Sequence, residues 1–188
     1  MKPDVTKDYR VEIDAGWKNL NKLIPKYELE GLCGMGWFAR RRYTRAKGHF
    51  VRAYELDPKG WEAVWGLGKI AWLERDVEGA FVYSKEAAVG HRKSSELFSD
   101  LVRLALALDK LTEAEMYARA AVELEPRNSE LLSDYALVLM VNRHVKRAIG
   151  VATNACKLNP DDGRNWDVLQ WVRRVDKGEE ELPESIAL

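Results

Sequence analysis

The stretch Ser95–Asn128, SELFSDLVRLALALDKLTEAEMYARAAVELEPRN, is followed by a second stretch of 34 residues on the same plan, Ser129–Asp162. Ser95, Glu96 and Leu97 return as Ser129, Glu130 and Leu131. Ser99 and Asp100 return as Ser133 and Asp134, and Leu124 and Pro126 as Leu158 and Pro160. Sliding the frame backwards yields two more stretches, Trp61–Ser94 and Tyr27–Gly60. Ala46, Ala80, Ala114 and Ala148 are 34 apart, and so are Ala53, Ala87, Ala121 and Ala155. A fixed period of this length restricts the chain to stacked copies of one helical unit. Each unit buries against its neighbour the face that it cannot bury alone.

Each frame predicts an antiparallel helix pair, the first helix over roughly positions 1–14 and the second over roughly 18–31. The predicted turns are Arg41–Arg42–Tyr43, Arg75–Asp76, Asp109–Lys110 and Asn142–Arg143. The alanines let paired helix backbones approach closely. Residues 1–26 precede the repeats. Ile13, Trp17, Leu20 and Ile24 fall on one helical face there, and Pro25 is expected to end that helix. This helix fits the second half of an incomplete repeat, or an arm that swaps between chains or lies in a groove. After Pro160 a helix is expected to run to about Asp176, within a capping segment 163–177. Trp166 and Leu169 are its buried positions, and the rest of the helix faces water. The remainder, 178–188, is acidic and contains Pro183, so disorder is expected.

With 46% hydrophobic and 32% charged residues, the composition is that of a soluble globular chain. The net charge is zero but unevenly spread: 18 Lys/Arg against 13 Asp/Glu in residues 1–94, and 12 against 17 in 95–188. That polarity suits head-to-tail self-association or a partner of matching polarity, and equally an ordinary solvated surface. The charged N-terminus has no apolar core of a secretory signal, and no run approaches the apolar length of a membrane span. A cytoplasmic protein with no membrane insertion is the expectation.

Signals for catalysis, metals and cofactors are poor. The glycines of GLCGMG (Gly31–Gly36) stand in the order G-x-x-G-x-G with no preceding strand, so they are no dinucleotide fingerprint. GLGK at Gly66–Lys69 lacks the spacing and hydroxyl of a phosphate loop. Cys33 and Cys156 form no metal spacing, and Cys33 reads as a small core residue at frame position 7. His49, His91 and His144 fall at unrelated frame positions. No catalytic residue, metal or cofactor is therefore expected. Arg40, Arg41, Arg42, Arg45 and Lys47 surround Tyr43. One such patch on a neutral chain fits a solvated turn or an acidic protein better than nucleic acid.

The pattern resembles the tetratricopeptide repeat. Its residues here are Cys33, Gly34, Trp37, Ala46, Phe50, Ala53 and Pro58 in the first frame, and Val64, Leu67, Gly68, Ala80 and Ala87 in the second. The third carries Phe98, Leu101, Ala105, Ala114, Ala118, Ala121 and Pro126. The fourth carries Leu132, Tyr135, Ala136, Leu139, Ala148, Ala152, Ala155 and Pro160. Ser84, Ala118 and Ala152 stand where the family usually has an aromatic, and Arg92 where it has proline. The resemblance implies four repeats (27–60, 61–94, 95–128, 129–162) in a right-handed α-solenoid whose first helices line a concave face.

The family's ligand-meeting positions imply a partner groove of Met35, Phe38, Trp65, Lys69, Trp72, Ser99, Arg103, Leu106, Val138 and Trp171. Its first half is rich in aromatics and Met, which suits an extended peptide or amphipathic helix. A carboxylate clamp for a C-terminal peptide is not expected, because Gly31, Met35, Gly66, Glu96 and Asp100 stand at its five positions. Glu28, Glu62, Glu96 and Glu130 recur at position 2, where helix dipoles account for them; an acidic ladder for a basic ligand is the alternative. The implied function is a non-catalytic module that binds a protein or peptide as scaffold or adaptor. The alternatives are a chaperone similar to those of type III secretion translocators and a self-assembling homo-oligomeric scaffold.

Overall fold

The computed structural model describes residues 5–27 and 31–183. Among them are ten helices and no strand: α1 Val5–Leu20, α2 Ile24–Tyr27, α3 Trp37–Leu56, α4 Trp61–Leu73, α5 Val77–Gly90, α6 Ser95–Ala107, α7 Leu111–Leu124, α8 Ser129–Val141, α9 Val145–Leu158 and α10 Gly163–Asp176. They fall into two compact units, residues 1–92 and 93–188.

The predicted alanine series are the contact points of the helix pairs. Ala46, Ala80, Ala114 and Ala148 are fully buried, and Ala53, Ala87, Ala121 and Ala155 are no more than 2% exposed. With only a methyl at these positions, paired helices pack at short axial distance. Three of the predicted turns share one geometry. Arg75, Asp109 and Arg143, all at frame position 15, have φ of +66°, +55° and +64°. One residue in the left-handed region reverses the chain within about two residues. The last residue of a frame caps the next helix. Ser94 Oγ accepts from Leu97 N at 3.1 Å, Asn128 Oδ1 from Glu130 N and Leu131 N, and Asp162 Oδ1 from Arg164 N.

In the first unit the pairs are α1 with α3 and α4 with α5. This corrects the reading of the first frame. Arg41, Arg42 and Tyr43 form no turn; they lie inside the unbroken helix α3. No first helix occupies 31–36, because Gly31 and Gly34 take φ of +64° and +81° and interrupt it. Cys33, expected in the core, is exposed between them, and Trp37 is 65% exposed. The N-terminal helix takes the vacant role of first helix instead of the second half of an incomplete repeat. It ends at Leu20, before Pro25, which lies in the short α2.

Phe50 shows why α1 fits there. It is fully buried, with Gly16 of α1 on one side and Gly66 of α4 on the other. A Cβ at Gly16 would sit 2.8 Å from the Phe50 ring, and one at Gly66 only 2.3 Å. Trp17 meets the same ring edge-on, centroids 5.2 Å apart. Burial of such a ring is worth about 2–3 kcal/mol. Residues 21–27 and 31–36 then pack back against α4. Leu32 N donates to Leu73 O at 3.1 Å, and Leu23, Tyr27 and Met35 join Ile70 and Leu73 in one core.

The second unit pairs α6 with α7 and α8 with α9, and α10 closes against α8 and α9. The α10 face is turned from the expected one. Leu169 is buried, but Trp166 is 43% exposed, with its indole N–H donating to Pro160 O at 2.8 Å. The buried place goes to Asn165, which accepts from Ser133 Oγ at 2.6 Å. In the acidic tail, Arg174 Nε donates to Glu180 at 2.7 Å. Residues 184–188, for which disorder was expected, lie outside the described residues, as does Glu28 of the position-2 series.

Candidate functional site: the first-helix faces of the two units

In the first unit, the ten-residue groove set divides. Trp65 is only 8% exposed because it packs against Trp17 of α1, centroids 5.0 Å apart, and stacks near Trp61 at 6.0 Å. Trp61 lies flat on His91 at 4.0 Å. Lys69 is buried, its ammonium 5.6 Å from the Trp65 ring centre. Trp72 is half-buried. Position 2 of α4 is also engaged, since Arg10 Nη1 reaches Glu62 at 2.6 Å and Tyr9 Oη lies 3.5 Å from it. Two members belong elsewhere. Met35 is 4% exposed in the core with Leu73. Phe38 lies on α3 and is 76% exposed. The expected trough of Met35, Phe38, Trp65 and Trp72 is therefore not assembled, because α1 takes the first-helix place and covers Trp65.

In the second unit, Ser99 and Arg103 are half-buried on α6. Ser99 Oγ donates to Ser95 O at 3.1 Å, and Arg103 is hydrogen-bonded to the buried Asp100. Leu106, at 9% exposure, is at the edge of the core. Val138 is fully buried and cannot meet a ligand; nearly every residue of α8 is buried around it. Trp171 is half-buried on α10, and its indole N–H has no hydrogen-bond partner.

Ser99 instead opens on a shallow recess lined also by Val102, Ala118, Ala121, Leu131 and Asp134. Ala118, which stands where a regular repeat has an aromatic ring, is buried at its floor, and the helices close over it to leave only a shallow depression. Asp134 at its edge accepts from Arg164 at 2.6 Å. The missing aromatic was visible in the sequence; the shallow recess beside Ser99 was not. A larger polar recess of about 480 Å³ lies between α7 and α9, with Glu115, Met116, Asn142 and His144 in its wall.

Resolved shifts in proton affinity lead away from neutral pH. Burial, with Glu62 and Asp57 nearby, pushes Tyr9 up to about 12, and burial with Glu113 does the same to Tyr117. Burial and the Glu74 hydrogen bond raise Tyr43. Burial raises Cys156. Among the described residues, no group of three or more His, Cys, Asp or Glu is placed to hold a metal ion.

The tetratricopeptide repeat model matches residues 38–94 and 99–163, most of the chain. The chain belongs to the tetratricopeptide repeat family. Its match starts within α3, at the point where the regular pattern resumes after the glycine-rich interruption. A curated relative, BBSome complex member BBS4 of Bos taurus, is 32% identical over 117 residues. That alignment takes in 61% of this chain and 22% of BBS4, so the chain matches about a fifth of that relative's length. Among solved structures, MamA superposes with a TM-score of 0.71 at 17% identity, covering 92% of this chain and 84% of MamA. YrrB, described as a TPR protein with an unusual peptide-binding site, superposes at 0.66 with 19% identity, covering 77% and 74%. At these identities the likeness is one of fold: all-α, of the α-solenoid class built from tetratricopeptide helix pairs. Proteins of this family are in general protein-interaction modules. No helix among the described residues is long and apolar enough to cross a membrane.

Proposed function

We propose that the chain is a non-catalytic interaction module that takes a peptide or helix of a protein partner on the first-helix face of its second unit. The observation that carries this reading is the shallow recess beside Ser99, between α6, α7 and α8, where Ala118 stands in place of the ring that the family usually has. Ser99 and Leu131 remain half-exposed at its rim, and Asp134 supplies an acceptor for the partner's backbone or for a basic group. An apolar depression with polar groups at its edge suits surface contact with a bound peptide or helix. Peptide binding by YrrB is in keeping with it. The first unit is less suited to this role, because α1 already covers Trp65.

Ser99→Arg tests the reading by placing a long cation over the recess from a half-exposed position. Affinity capture from native extract is expected to lose the partner with this variant, at unchanged helicity and melting temperature. Wild-type capture by a folded Ser99→Arg chain would overturn the assignment. Replacing Trp65 and Trp72 is the poorer test, since loss of Trp65 also strips α1 of its packing.

A further inference from the structure

Helix α3 is longer than its counterparts. The second helices α5, α7 and α9 each have 14 residues and start at frame position 17, at Val77, Leu111 and Val145. The matching residue in the first frame is Tyr43, yet α3 has 20 residues and starts at Trp37. The six extra residues, Trp37–Arg42, add about 9 Å of helix. They read WFARRR, and they carry the most exposed Trp and Phe rings among the described residues: Trp37 at 65% and Phe38 at 76%. The two rings meet edge-on with centroids 4.8 Å apart, and the Arg41 guanidinium lies 5.4 Å from the centre of Trp37. Arg41 and Arg45 follow Trp37 at helical spacing and are exposed, and Arg42 is half-buried beside them.

Ala39 packs on the core, but neither folding nor capping explains the exposed rings and arginines of this segment. From 37 to 54 the helix contains no Asp or Glu. Its first turn holds no acid, and its N-cap, Gly36, makes no side-chain cap bond. Arginines here oppose the helix dipole, so they cost local stability. Other cations of the helix have structural partners: Lys47 bonds Glu74, Arg52 bonds Glu12, and Arg40 bonds Met35 O at 3.0 Å. Arg41, Arg42 and Arg45 stand with the aromatic pair.

We propose that this overhang docks the chain on an anionic phospholipid surface. Trp37 and Phe38 enter the interface, and Arg41, Arg42 and Arg45 meet the lipid phosphates. The rings stand proud of the helix, whereas peptide recognition calls for a groove. Base stacking calls for open ring faces, and Trp37 is already met by Phe38 and Arg41. Paired aromatic and basic residues are the usual interfacial anchors.

The test is co-sedimentation of the full chain with phosphatidylcholine vesicles, with and without about a third of phosphatidylserine. The chain is expected to pellet with the anionic vesicles only, and less at high salt. Trp37→Ala/Phe38→Ala and Arg41→Ala/Arg45→Ala are each expected to weaken partitioning by about tenfold or more at unchanged far-UV dichroism. Arg127→Ala/Lys157→Ala, exposed elsewhere, should bind as wild type. The proposal is overturned if wild type stays in solution with anionic vesicles, or if both double variants bind like it. It is equally overturned if a single-stranded oligonucleotide, and not the vesicles, is bound in a way these variants abolish.

Discussion

Arg75, Asp109 and Arg143 each hold a left-handed backbone that a Cβ makes costly, by about 1–2 kcal/mol. They keep it because the turn must reverse the chain between a first and a second helix that pack through alanines only a few residues away. Neither Asp109 nor Arg143 buries its side chain. Asp109→Gly and Arg143→Gly are therefore each expected to stabilise the chain by roughly 0.5–1 kcal/mol, less than the full strain because glycine loses more entropy on folding. Urea titration of the single variants checks this; a lower midpoint for both would show that the side chains do more than hold the turn. Glycine has the opposite value at Gly66, where the Phe50 ring occupies the place of a Cβ. These turns were readable from the sequence as breaks between apolar runs. Their conformation was not, since Arg and Asp do not advertise a positive φ.

At the scale of an element, α1 decides how the first unit is built. Its apolar stripe of Ile13, Trp17 and Leu20 was legible as periodicity, and Ile13 and Leu20 are indeed buried to 2% and 0%. Its place was not legible. The frame assigns a first helix to residues 27–40, and Gly34 and Trp37 happen to fall on family positions there. Two glycines with positive φ break that helix, and Gly16 offers the close approach to Phe50 that the broken helix would have supplied. Trp17 joins the two halves of this packing, between Phe50 and Trp65. Trp17→Ala is expected to cost about 3–5 kcal/mol, in the range of large-to-small aromatic changes. It should also raise the exposure of Trp65, read as a red shift of the remaining tryptophan emission and faster quenching by iodide. A loss below about 1 kcal/mol would mean that α1 contributes little to this core.

On the scale of the whole molecule, each unit contains a carboxylate held by a His and an Arg three residues apart. Glu12 faces His49 and Arg52 at 2.7 and 3.0 Å; Glu115 faces His144 and Arg147, both at 2.9 Å. Burial alone would raise these carboxyls. The hydrogen bonds from Arg52 and His49, and those from Asn142 and Arg147 with the attraction of His144, outweigh it and hold both below the ordinary 4.5. A group with a lowered folded pKa stabilises the fold above its unfolded pKa, and that contribution is lost as pH falls through the folded value. Stability is thus expected to hold from neutral pH to about 4.5 and to fall below it. Glu12→Gln and Glu115→Gln should each lower stability near neutral pH and flatten the acid fall, followed by urea titration at stepped pH. An acid limb as steep in both variants as in wild type would discount these clamps.

The sequence by itself determined the class of the molecule and much of its register: the 34-residue period, the two alanine series and three of the turns. Those features are local or strictly periodic, and small residues at helix contacts leave a regular trace. Only the tertiary structure decided which helix pairs with α3, that Met35 and Val138 are core rather than groove, that Trp65 lies under α1, and that WFARRR projects from an overlong helix. Each of these depends on which of several apolar stretches wins a given place against a neighbour. The outcome is settled by contacts between residues far apart in the chain, such as Gly16 with Phe50 and Trp17 with Trp65, and a repeat frame carries no record of them.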